Sequence, residues 1–398
     1  MNLNTSPIIT SLLDNDAYKF HMQQAIFHQH KTVRVVAEFI CRDNNLLGDY
    51  VNVVQQQINL MQDISLTSVE YEYLYQLSIY KKDYLNWLKT FRFKPHQVHV
   101  YKTINNQLAI KIIGLWYEII LWEVPILSII SELVYSDRYP SITIENVIDN
   151  CYISINNFYK KAFSEKIDLK NFKIIDFGTR RRLSKKIHYK LIKKLHKFFP
   201  YFKGTSNYNL SLQFKIDSFG TQAHEWFQAH QQLCSQLCES QRLALYNWLK
   251  EYPDKLGIAL TDCITMDVFL KDFDHILGTK YQGLRHDSGN PLEWGEKAIK
   301  HYKKLNIDPM NKTLVFSDNI NLQKALLIYK HFHNRINIIF GIGAGLSCNI
   351  PKIELLNIVI KLIQCNGHPV AKLSDTPEKT ICNDNNFIEY LKKVYKIM

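Results

Sequence analysis

The fold is decided by residues 172–180, which read FKIIDFGTR. The β-branched pair Ile174 and Ile175 favours a strand, and Gly178 is typical of the turn that ends one. From here to the C terminus the pattern recurs: a short apolar run ends abruptly in polar residues, and a helix-period segment often follows. This alternation is the sequence form of repeated βα units and predicts an α/β barrel or open sheet.

Five more runs share this pattern, and polar side chains follow most of them. Polar residues at the carboxyl ends of parallel strands form the usual catalytic face of such folds. We therefore predict a barrel-like α/β domain in the C-terminal part of the chain, after a mostly helical N-terminal part over residues 1–150. The further predicted strands are Gly257–Leu260, Tyr281–Leu284, Thr313–Phe316, Ile336–Phe340 and Asn357–Ile363.

Composition excludes some classes of protein and leaves others open. The 398 residues are 46% hydrophobic and 22% charged, which excludes a disordered chain and a disulfide-stapled miniature. The net charge of +12 suits nucleic acid, an anionic membrane surface or a phosphorylated substrate, and by itself does not choose among them. Only ten cations are Arg and only 14 residues are Gly, so clusters of either stand out.

The cysteines and the apolar segments argue against secretion and a membrane span. Eight cysteines without a CxxC pair form neither a zinc signature nor a disulfide framework, and the N terminus lacks the pattern of a secretory signal. We expect reduced thiols in the cytoplasm. The most apolar stretch, Ile112–Val134, contains Glu118, Glu123 and Glu132, so it predicts a buried helix and no membrane partner.

Two clusters have the chemistry of anion binding. Arg180–Arg182 holds three of the ten arginines directly after a predicted strand, where guanidinium groups grip carboxylates or phosphates. The alternative is the start of a basic amphipathic helix over residues 180–203. Gly341, Gly343 and Gly345 follow another strand and suit a backbone N–H nest for a phosphate, although a tight turn explains them as well.

Titratable side chains mark the other strand ends. Arg285 and Asp287 share one turn, where the carboxylate suits ribose hydroxyls or a phosphate-bound Mg²⁺, or where the two form a structural ion pair. Asp262 and Asp318 also follow strands, and either alternatively caps the next helix. His224 lies beside Glu225 among aromatics, and from periodicity alone a structural role is the more common one for such a histidine.

Five separated motifs together resemble the bacterial nicotinate phosphoribosyltransferases, in the same order and spacing. The resemblance covers essentially the whole chain and distinguishes it from nicotinamide-using and quinolinate-using relatives. It implies the type II phosphoribosyltransferase fold, an irregular TIM-like α/β barrel over residues 151–398. A smaller, helix-rich N-terminal α/β domain over residues 1–150 precedes it and is rejoined by part of the C-terminal end. The motifs are DNDAYK at 14–19, DFGTRRR at 176–182, GTSN at 204–207, GTQAHE at 220–225 and LRHDSG at 284–289.

The resemblance also implies an activity. Such enzymes join nicotinate to 5-phosphoribosyl-1-diphosphate, release diphosphate, and hydrolyse ATP through a transient phosphohistidine, as the first step of NAD synthesis from nicotinate. His224 matches the phosphorylated position. ATP and Mg²⁺ are implied as cosubstrate and cofactor, with no Mg²⁺ ligands assigned, and a homodimer with shared sites is implied as well.

Further positions are assigned by the resemblance alone. Asp262 is implied near the reacting C1 carbon, and Glu225 is our candidate for the acceptor that fixes the tautomer of His224. Phe177 and Tyr18 are implied to contact the pyridine ring, with Tyr18 from the same or a second subunit, and Arg180 is implied to contact nicotinate or the sugar phosphate. Arg285 and Asp287 are implied to contact ribose and diphosphate, and Gly341 and Gly343 the 5-phosphate. Thr205 and Ser206 are implied as further substrate-binding residues.

One departure from the family pattern concerns the phosphate turn. Ala344 stands where members usually carry Thr, and Gly345 stands at a variable, often basic position. The missing hydroxyl is worth roughly 1 kcal/mol or more against a charged phosphate, so we expect weakened but surviving phosphoribosyl-diphosphate affinity. The rival functions are a nicotinamide-using enzyme and an RNA-binding protein; the chain lacks RRM, KH and OB signatures, so we expect no nucleic acid partner.

Overall fold

The structure is a computed structural model that describes residues 6–43, 45–347, 350, 351 and 353–397, with only the backbone of Ser347. Helices and strands alternate along most of this length. The strands are β1 Arg34–Cys41, β2 Val98–Lys102, β3 Leu108–Leu115, β4 Ile174–Asp176, β5 Phe202–Thr205, β6 Asp217–Ser218, β7 Ile258–Leu260, β8 Gly283–His286, β9 Thr313–Phe316, β10 Asn337–Ile342, β11 Ile358–Cys365 and β12 His368–Pro369.

Most helices follow a strand and cover the sheets. They are α1 Ala17–Gln29, α2 Val51–Leu60, α3 Ser68–Gln76, α4 Lys82–Thr90, α5 Trp116–Ile119, α6 Glu123–Arg138, α7 Ile144–Ser164, α8 Lys185–Phe198, α9 Tyr208–Phe214, α10 His224–His230, α11 Ser240–Glu251, α12 Met266–Asp272, α13 His275–Lys280, α14 Pro291–Lys304, α15 Leu322–Phe332, α16 Ala344–Ser347 and α17 Asn385–Tyr395. Short 3-10 helices also occur, at Gly48–Tyr50, Met61–Asp63, Pro95–Gln97, Ile120–Trp122, Thr179–Arg181, Leu237–Glu239, Pro309–Asn311 and Pro377–Lys379.

Seven parallel strands form the larger sheet, in the order β6-β5-β4-β10-β9-β8-β7. Its two edge strands lie close together: the hydroxyl of Thr221, which follows β6, donates to the carbonyl oxygen of Ile258 on β7 at 2.8 Å. The predicted fold class, an irregular TIM-like α/β barrel with a helix-rich N-terminal α/β part, is confirmed. Parallel pairing brings the carboxyl ends of these strands, and the polar residues after them, to one edge.

The second sheet has five antiparallel strands, in the order β12-β11-β1-β3-β2. The prediction that Asn357–Ile363 belongs to the barrel is therefore wrong, because β11 pairs with β1. A strand that is buried on both faces has the same continuous hydrophobic sequence pattern in a parallel and in an antiparallel sheet. β5 and β6 are missing from the sequence prediction because they are short and partly polar. The predicted division between residues 150 and 151 falls inside α7 and stays a prediction.

The predicted buried helix over Ile112–Val134 is confirmed from Trp116 onward, whereas residues 112–115 belong to β3. Residues Trp116–Arg138 are helical throughout and satisfy the length and hydropathy of a membrane span, but 89% of their most apolar window is buried inside the protein. Its carboxylates have internal partners: Glu123 pairs with Lys19 at 2.5 Å, and Glu132 with Arg182 at 2.7 Å. The charges that interrupt the apolar run thus bind neighbouring elements.

A buried ion pair ties the segment before α1 to the barrel. The Arg182 guanidinium donates to both Asp14 oxygens, at 2.6 and 3.0 Å, and both side chains are almost fully buried. Removing one partner leaves the other charge buried, so we expect Asp14→Asn to lower the free energy of unfolding by about 3 kcal/mol. Urea unfolding at pH 7 measures this. Asp49→Asn, at the exposed Lys102–Asp49 pair, is the matched control and should cost less than about 1 kcal/mol.

The same pair fixes the sign of a pH effect. Burial alone raises the pKa of Asp14, but Arg182 outweighs it and holds the pKa well below the ordinary 3.8. A carboxyl with a lowered folded-state pKa contributes stability that is present above its unfolded-state value and is lost as the pH falls. The stability gap between wild type and Asp14→Asn should therefore narrow below about pH 5. A constant gap down to pH 3 contradicts this account.

Candidate active site

His224, the first residue of α10, lies against two strand-end carboxylates. Its Nε2 is 2.9 Å from Asp262 Oδ1 and 3.7 Å from Asp287 Oδ2. Asp262 follows β7 and Asp287 follows β8, and the pairing of these neighbouring strands brings the two carboxylates together. His224 and Asp262 are buried, whereas the Asp287 side chain is 32% exposed. The structure thus joins three predicted site residues that lie far apart in the sequence.

The Asp262 carboxylate is ionised and has partners on both oxygens. Oδ2 accepts from Ser288 Oγ at 2.7 Å and lies 2.9 Å from Lys372 Nζ, while Oδ1 faces His224. Burial alone raises the pKa of Asp262, but Lys372 and His224 hold it well below its usual range. An ionised carboxylate only accepts hydrogen bonds. The proton of His224 therefore lies on Nε2, and Nδ1 carries the lone pair.

The His224 ring is neutral at physiological pH. Burial, followed by the nearby Lys372 ammonium, lowers the pKa of His224 to about 4, and the attraction of Asp262 only partly opposes this. A neutral imidazole with a fixed tautomer is a competent nucleophile, whereas an imidazolium is not.

Glu225 does not orient His224, contrary to our expectation. Its carboxylate accepts from Lys19 Nζ at 2.5 Å and from the indole N–H of Trp116 at 2.7 Å. Successive residues at a helix start point in different directions, so adjacency in sequence does not bring the two side chains together. Asp262 is the acceptor, and Glu225 anchors α10 to α1 and α5.

Phe177, Tyr18 and Arg180 surround the other end of the site. The Phe177 N–H donates to the Ile342 carbonyl oxygen at 2.9 Å, which sets the residue directly after β4 beside β10. Arg180 Nη1 lies 3.4 Å from Glu123 Oε1, and its side chain is 37% exposed. Burial opposes the charge of Arg180, but Tyr18 and Glu123 outweigh it and raise the pKa of the guanidinium. Tyr18 thus lies close to Arg180 within the same chain.

Arg181 and Arg182 have other partners, and Arg181 also interacts electrostatically with Arg180 and Asp287. Arg182 belongs to the buried pair with Asp14, and an Arg181 Nη lies 3.3 Å from the carbonyl oxygen of Ile358. Arg180 is the predicted arginine that pairs with Glu123.

The glycines of the predicted phosphate turn lie where neighbouring atoms leave little or no room for a side chain. A Cβ on Gly341, which lies within β10, would come 2.2 Å from Cε2 of Phe177, so this glycine makes room for the aromatic ring. A Cβ on Gly343 would lie 3.1 Å from the Phe177 carbonyl oxygen, and one on Gly345 would lie 2.4 Å from the Ile320 carbonyl oxygen. Packing against Phe177 thus explains the glycine at position 341, and its predicted phosphate contact stays a prediction. That of Gly343 stays a prediction as well.

Thr205 and Ser206 bind buried carboxylates through their hydroxyl groups, and their expected substrate contacts stay predictions. The Thr205 hydroxyl donates to Asp176 Oδ2 at 2.7 Å, and the Ser206 hydroxyl donates to Asp16 Oδ1 at 2.8 Å. Both side chains are buried, and each hydroxyl proton is already bound to a carboxylate. They join the end of β5 to β4 and to the start of α1, the elements that carry Phe177 and Tyr18.

Cations from three further segments complete the site. Within the described ranges, Nε of Arg285 is buried without a hydrogen-bond partner, next to the exposed Asp287. Lys379 donates to Asp318 Oδ1 at 2.5 Å and to the Asp287 carbonyl oxygen at 3.0 Å. Arg42, at the end of β1, interacts electrostatically with Asp287 and Asp318. Asp318 therefore holds a lysine and does not cap a helix.

Sequence reasoning missed Arg42, Lys361, Lys372 and Lys379. A usable signal for two of them is the segment KLSDTPEK at 372–379, a polar run directly after β12 with a lysine at each end. Arg42 directly follows β1, and Lys361 lies in β11 and interacts electrostatically with Glu123 and Asp287. Neither has a local signal, because tertiary packing brings both to the site.

Comparisons with known proteins agree with this geometry. Residues 13–131 match the nicotinate phosphoribosyltransferase N-terminal domain, and residues 172–398 match the nicotinate phosphoribosyltransferase family. The chain is 58% identical over 397 residues to a nicotinate phosphoribosyltransferase of Photorhabdus laumondii and 57% identical to one of Proteus mirabilis, covering 100% of this chain and 98% of each relative.

Solved structures show the same relationship. The crystal structure of nicotinate phosphoribosyltransferase from Vibrio cholerae has a TM-score of 0.95 at 36% identity, over 100% of this chain and 96% of that one. The enzyme from Porphyromonas gingivalis has a TM-score of 0.88 at 31% identity, over 98% and 100%. These matches confirm the resemblance carried by the five motifs. The chain belongs to the nicotinate phosphoribosyltransferase family.

Proposed function

We propose that this protein makes nicotinate mononucleotide and diphosphate from nicotinate and 5-phosphoribosyl-1-diphosphate, and drives the reaction by hydrolysing ATP through phosphorylated His224. The reaction would be the first step of NAD synthesis from nicotinate. The membership of this chain in the nicotinate phosphoribosyltransferase family supports the glycosyl transfer. The observation that carries the ATP coupling is the neutral His224, whose Nε2 proton is held by Asp262 at 2.9 Å.

The nucleophile of the proposed phosphoryl transfer is the lone pair on Nδ1 of His224. This nitrogen attacks the γ-phosphorus of ATP, the bond from phosphorus to the bridging oxygen breaks, and ADP leaves. The Nε2 proton stays hydrogen-bonded to Asp262, which compensates the positive charge that grows on the ring. Water later attacks the phosphorus, the N–P bond breaks, and orthophosphate leaves while the lone pair returns to Nδ1.

Glycosyl transfer places opposite charges at two ends of the site. When the bond from C1 to diphosphate breaks, the ribose gains oxocarbenium-like positive charge and the leaving group gains negative charge, and the nicotinate ring nitrogen then bonds to C1. Asp262 and Asp287 suit the ribose side, while Arg285 and the surrounding cations suit the diphosphate. No hydroxyl of Thr205 or Ser206 is needed for this.

Mg²⁺ fits one edge of this arrangement. Suitable ligand atoms of His224, Asp262 and Asp287 lie within 4.8 Å of one another, but Asp262 already holds Lys372, Ser288 and His224. Mg²⁺ prefers oxygen ligands and commonly takes one or two carboxylates plus substrate phosphates. Asp287 would therefore hold the ion together with the diphosphate. When bound there, Mg²⁺ supplies charge neutralisation for the leaving group.

Arg180 favours nicotinate over nicotinamide. Its contact with Glu123 is long and its guanidinium is partly exposed, so donors remain for a second carboxylate. A guanidinium binds a carboxylate through two parallel hydrogen bonds, which a neutral amide does not reproduce. Phe177 and Tyr18 supply aromatic surfaces for the pyridine ring.

The discriminating experiment supplies the purified protein with labelled phosphoribosyl diphosphate, Mg²⁺ and ATP, and either nicotinate or nicotinamide. We expect nicotinate mononucleotide, with ADP released during turnover, and little product from nicotinamide. Equal use of both pyridines overturns the specificity, and product formation without any ATP effect overturns the coupling.

Packing of Gly341 against Phe177 gives a test of the pyridine site. Gly341→Ala places a methyl group where the ring now lies, so the ring must move. We expect the KM for nicotinate to rise roughly tenfold, the value of one lost aromatic contact, with a smaller change in the KM for ATP. Steady-state kinetics measures both. Gly257→Ala is the matched control: its Cβ would lie 3.1 Å from the Gln282 backbone nitrogen and would not meet Phe177. Equal effects from both variants contradict the assignment.

A cytoplasmic location and a homodimer also stay predictions. The seven cysteines within the described residues are free thiols, which suits a reducing compartment.

A further inference from the structure

Lys361 enters the active site from the antiparallel sheet. It lies in the middle of β11, against which α10 packs: the Gln228 side chain of α10 donates to the carbonyl oxygen of Leu362 at 3.1 Å. The charge of Lys361 is felt by His224, at the other end of α10, and by Asp287. Lys361 also interacts electrostatically with Glu123, Lys372 and Arg180, so it lies among the charged groups of the active site, on the strand against which α10 packs.

Its ammonium group differs from the other lysines of the site. Lys19, Lys372 and Lys379 each have a carboxylate partner at 2.5–2.9 Å. Lys361, by contrast, forms no hydrogen bond or ion pair with any residue that the structure describes. Its cross-strand neighbour Glu38 instead binds Lys111 at 3.6 Å and Asn383 at 2.8 Å.

The surroundings of Lys361 hold charges of both signs. Burial lowers the pKa of Lys361 to about 8; Glu123 and Asp287 raise it, while Lys372 and Arg180 lower it further. An ammonium with this pKa is mostly protonated at pH 7. A half-buried cation without a partner is unfavourable unless a ligand supplies the opposite charge.

Phosphorylation of His224 would supply that charge. The phosphoryl group adds ~2 negative charges to Nδ1 of a ring whose Nε2 already faces the carboxylates of Asp262 and Asp287. Lys372 is already held by Asp262 and offers little compensation. Like charges repel in a partly buried site, so a nearby cation without a carboxylate partner stabilises the phosphorylated state.

We propose that Lys361 binds the phosphoryl group on His224 and thereby stabilises the phosphorylated enzyme. This inference rests on the proposed ATP coupling. In the unphosphorylated protein the same ammonium would meet the γ-phosphate of ATP, so it stays with the phosphoryl group while the bond to ADP breaks and the bond to Nδ1 forms.

The test compares variants incubated with γ-labelled ATP and Mg²⁺, with the acid-labile phosphoprotein measured over time. We expect Lys361→Gln to lower the amount of phosphoenzyme at least about tenfold, and Lys361→Arg to restore part of it. Lys111→Gln, a paired lysine on the same sheet, should match wild type. Thermal unfolding of each variant identifies losses due to misfolding.

A measurement on the wild-type protein does not depend on whether the variants fold. Reductive methylation followed by peptide mass spectrometry reports the reactivity of the Lys361 amine. We expect ATP to protect it strongly and ADP, which lacks the γ-phosphoryl group, to protect it little. Equal protection by both nucleotides, or normal phosphoenzyme in Lys361→Gln, overturns the inference. Absence of phosphoenzyme in the wild type instead overturns the proposed ATP coupling.

Discussion

His224→Ala should lose phosphoenzyme formation and ATP hydrolysis by at least ~10³-fold, because no other group offers a lone pair at that position. Formation of nicotinate mononucleotide should persist at a reduced rate without stimulation by ATP, since the glycosyl step uses other side chains. Labelled ATP and product assays measure the two activities separately. His331→Ala, at an exposed pair with Glu296, is the matched control and should behave as wild type.

The pH profile gives an independent check. With the pKa of His224 lowered to about 4, the ring stays neutral down to pH 5, so phosphoenzyme formation should not fall through protonation of His224 between pH 8 and pH 5.5. A histidine with the ordinary pKa of about 6.5 would lose roughly tenfold over that range. Such a tenfold loss, or ATP-stimulated product formation in His224→Ala, rejects the assigned role.

The barrel was predictable because its strands leave a local signal. The predicted run Thr313–Phe316 coincides with β9, and Ile336–Phe340 overlaps β10 with small differences at the ends. An apolar run that stops at a polar residue marks where a buried strand reaches the edge of its sheet. The partner of a strand leaves no such mark, and so β11 was placed in the wrong sheet.

The site was predictable in its elements and less so in its contacts. Strand-end positions located Asp262 and Asp287, and the motif resemblance singled out His224. The direction of each side chain depends on packing that no motif states: Glu225 turns toward Lys19, and the Thr205 hydroxyl turns into the scaffold. Residue type and position alone do not show whether a hydroxyl is already bonded to a buried carboxylate.

The unpredicted part of the site comes from the end of the chain. Lys361 and Lys372 lie about 140 residues beyond His224 in the sequence, and both adjust its electrostatics. Lysines are frequent in this chain, so composition hides them. Their importance follows only from the charged side chains that lie around them in the folded protein.

Asp262→Asn should lower the rate of phosphoenzyme formation by ~10³- to 10⁴-fold, although the side chain keeps its size. An amide can donate to Nε2, which moves the ring proton to Nδ1 and removes the lone pair that attacks ATP. The substitution also leaves the Lys372 ammonium without its carboxylate at 2.9 Å. Rapid-quench measurement with labelled ATP gives the rate, and thermal unfolding shows whether the variant is folded. Asp272→Asn, a carboxylate outside the site whose partner is Gln241, is the matched control.

A double-variant cycle separates the two roles that Asp262 has in the proposed mechanism. If Asp262 acts only by orienting His224, then Asp262→Asn in the His224→Ala background should cause no further loss of ATP-independent product formation. If it also stabilises positive charge on the ribose, that activity should fall again in the double variant, since the charge develops whether or not His224 is present. We expect the second outcome, because Asp262 is ionised and lies beside Asp287 at the carboxyl ends of β7 and β8. A double variant as active as His224→Ala alone would confine Asp262 to the phosphoryl step.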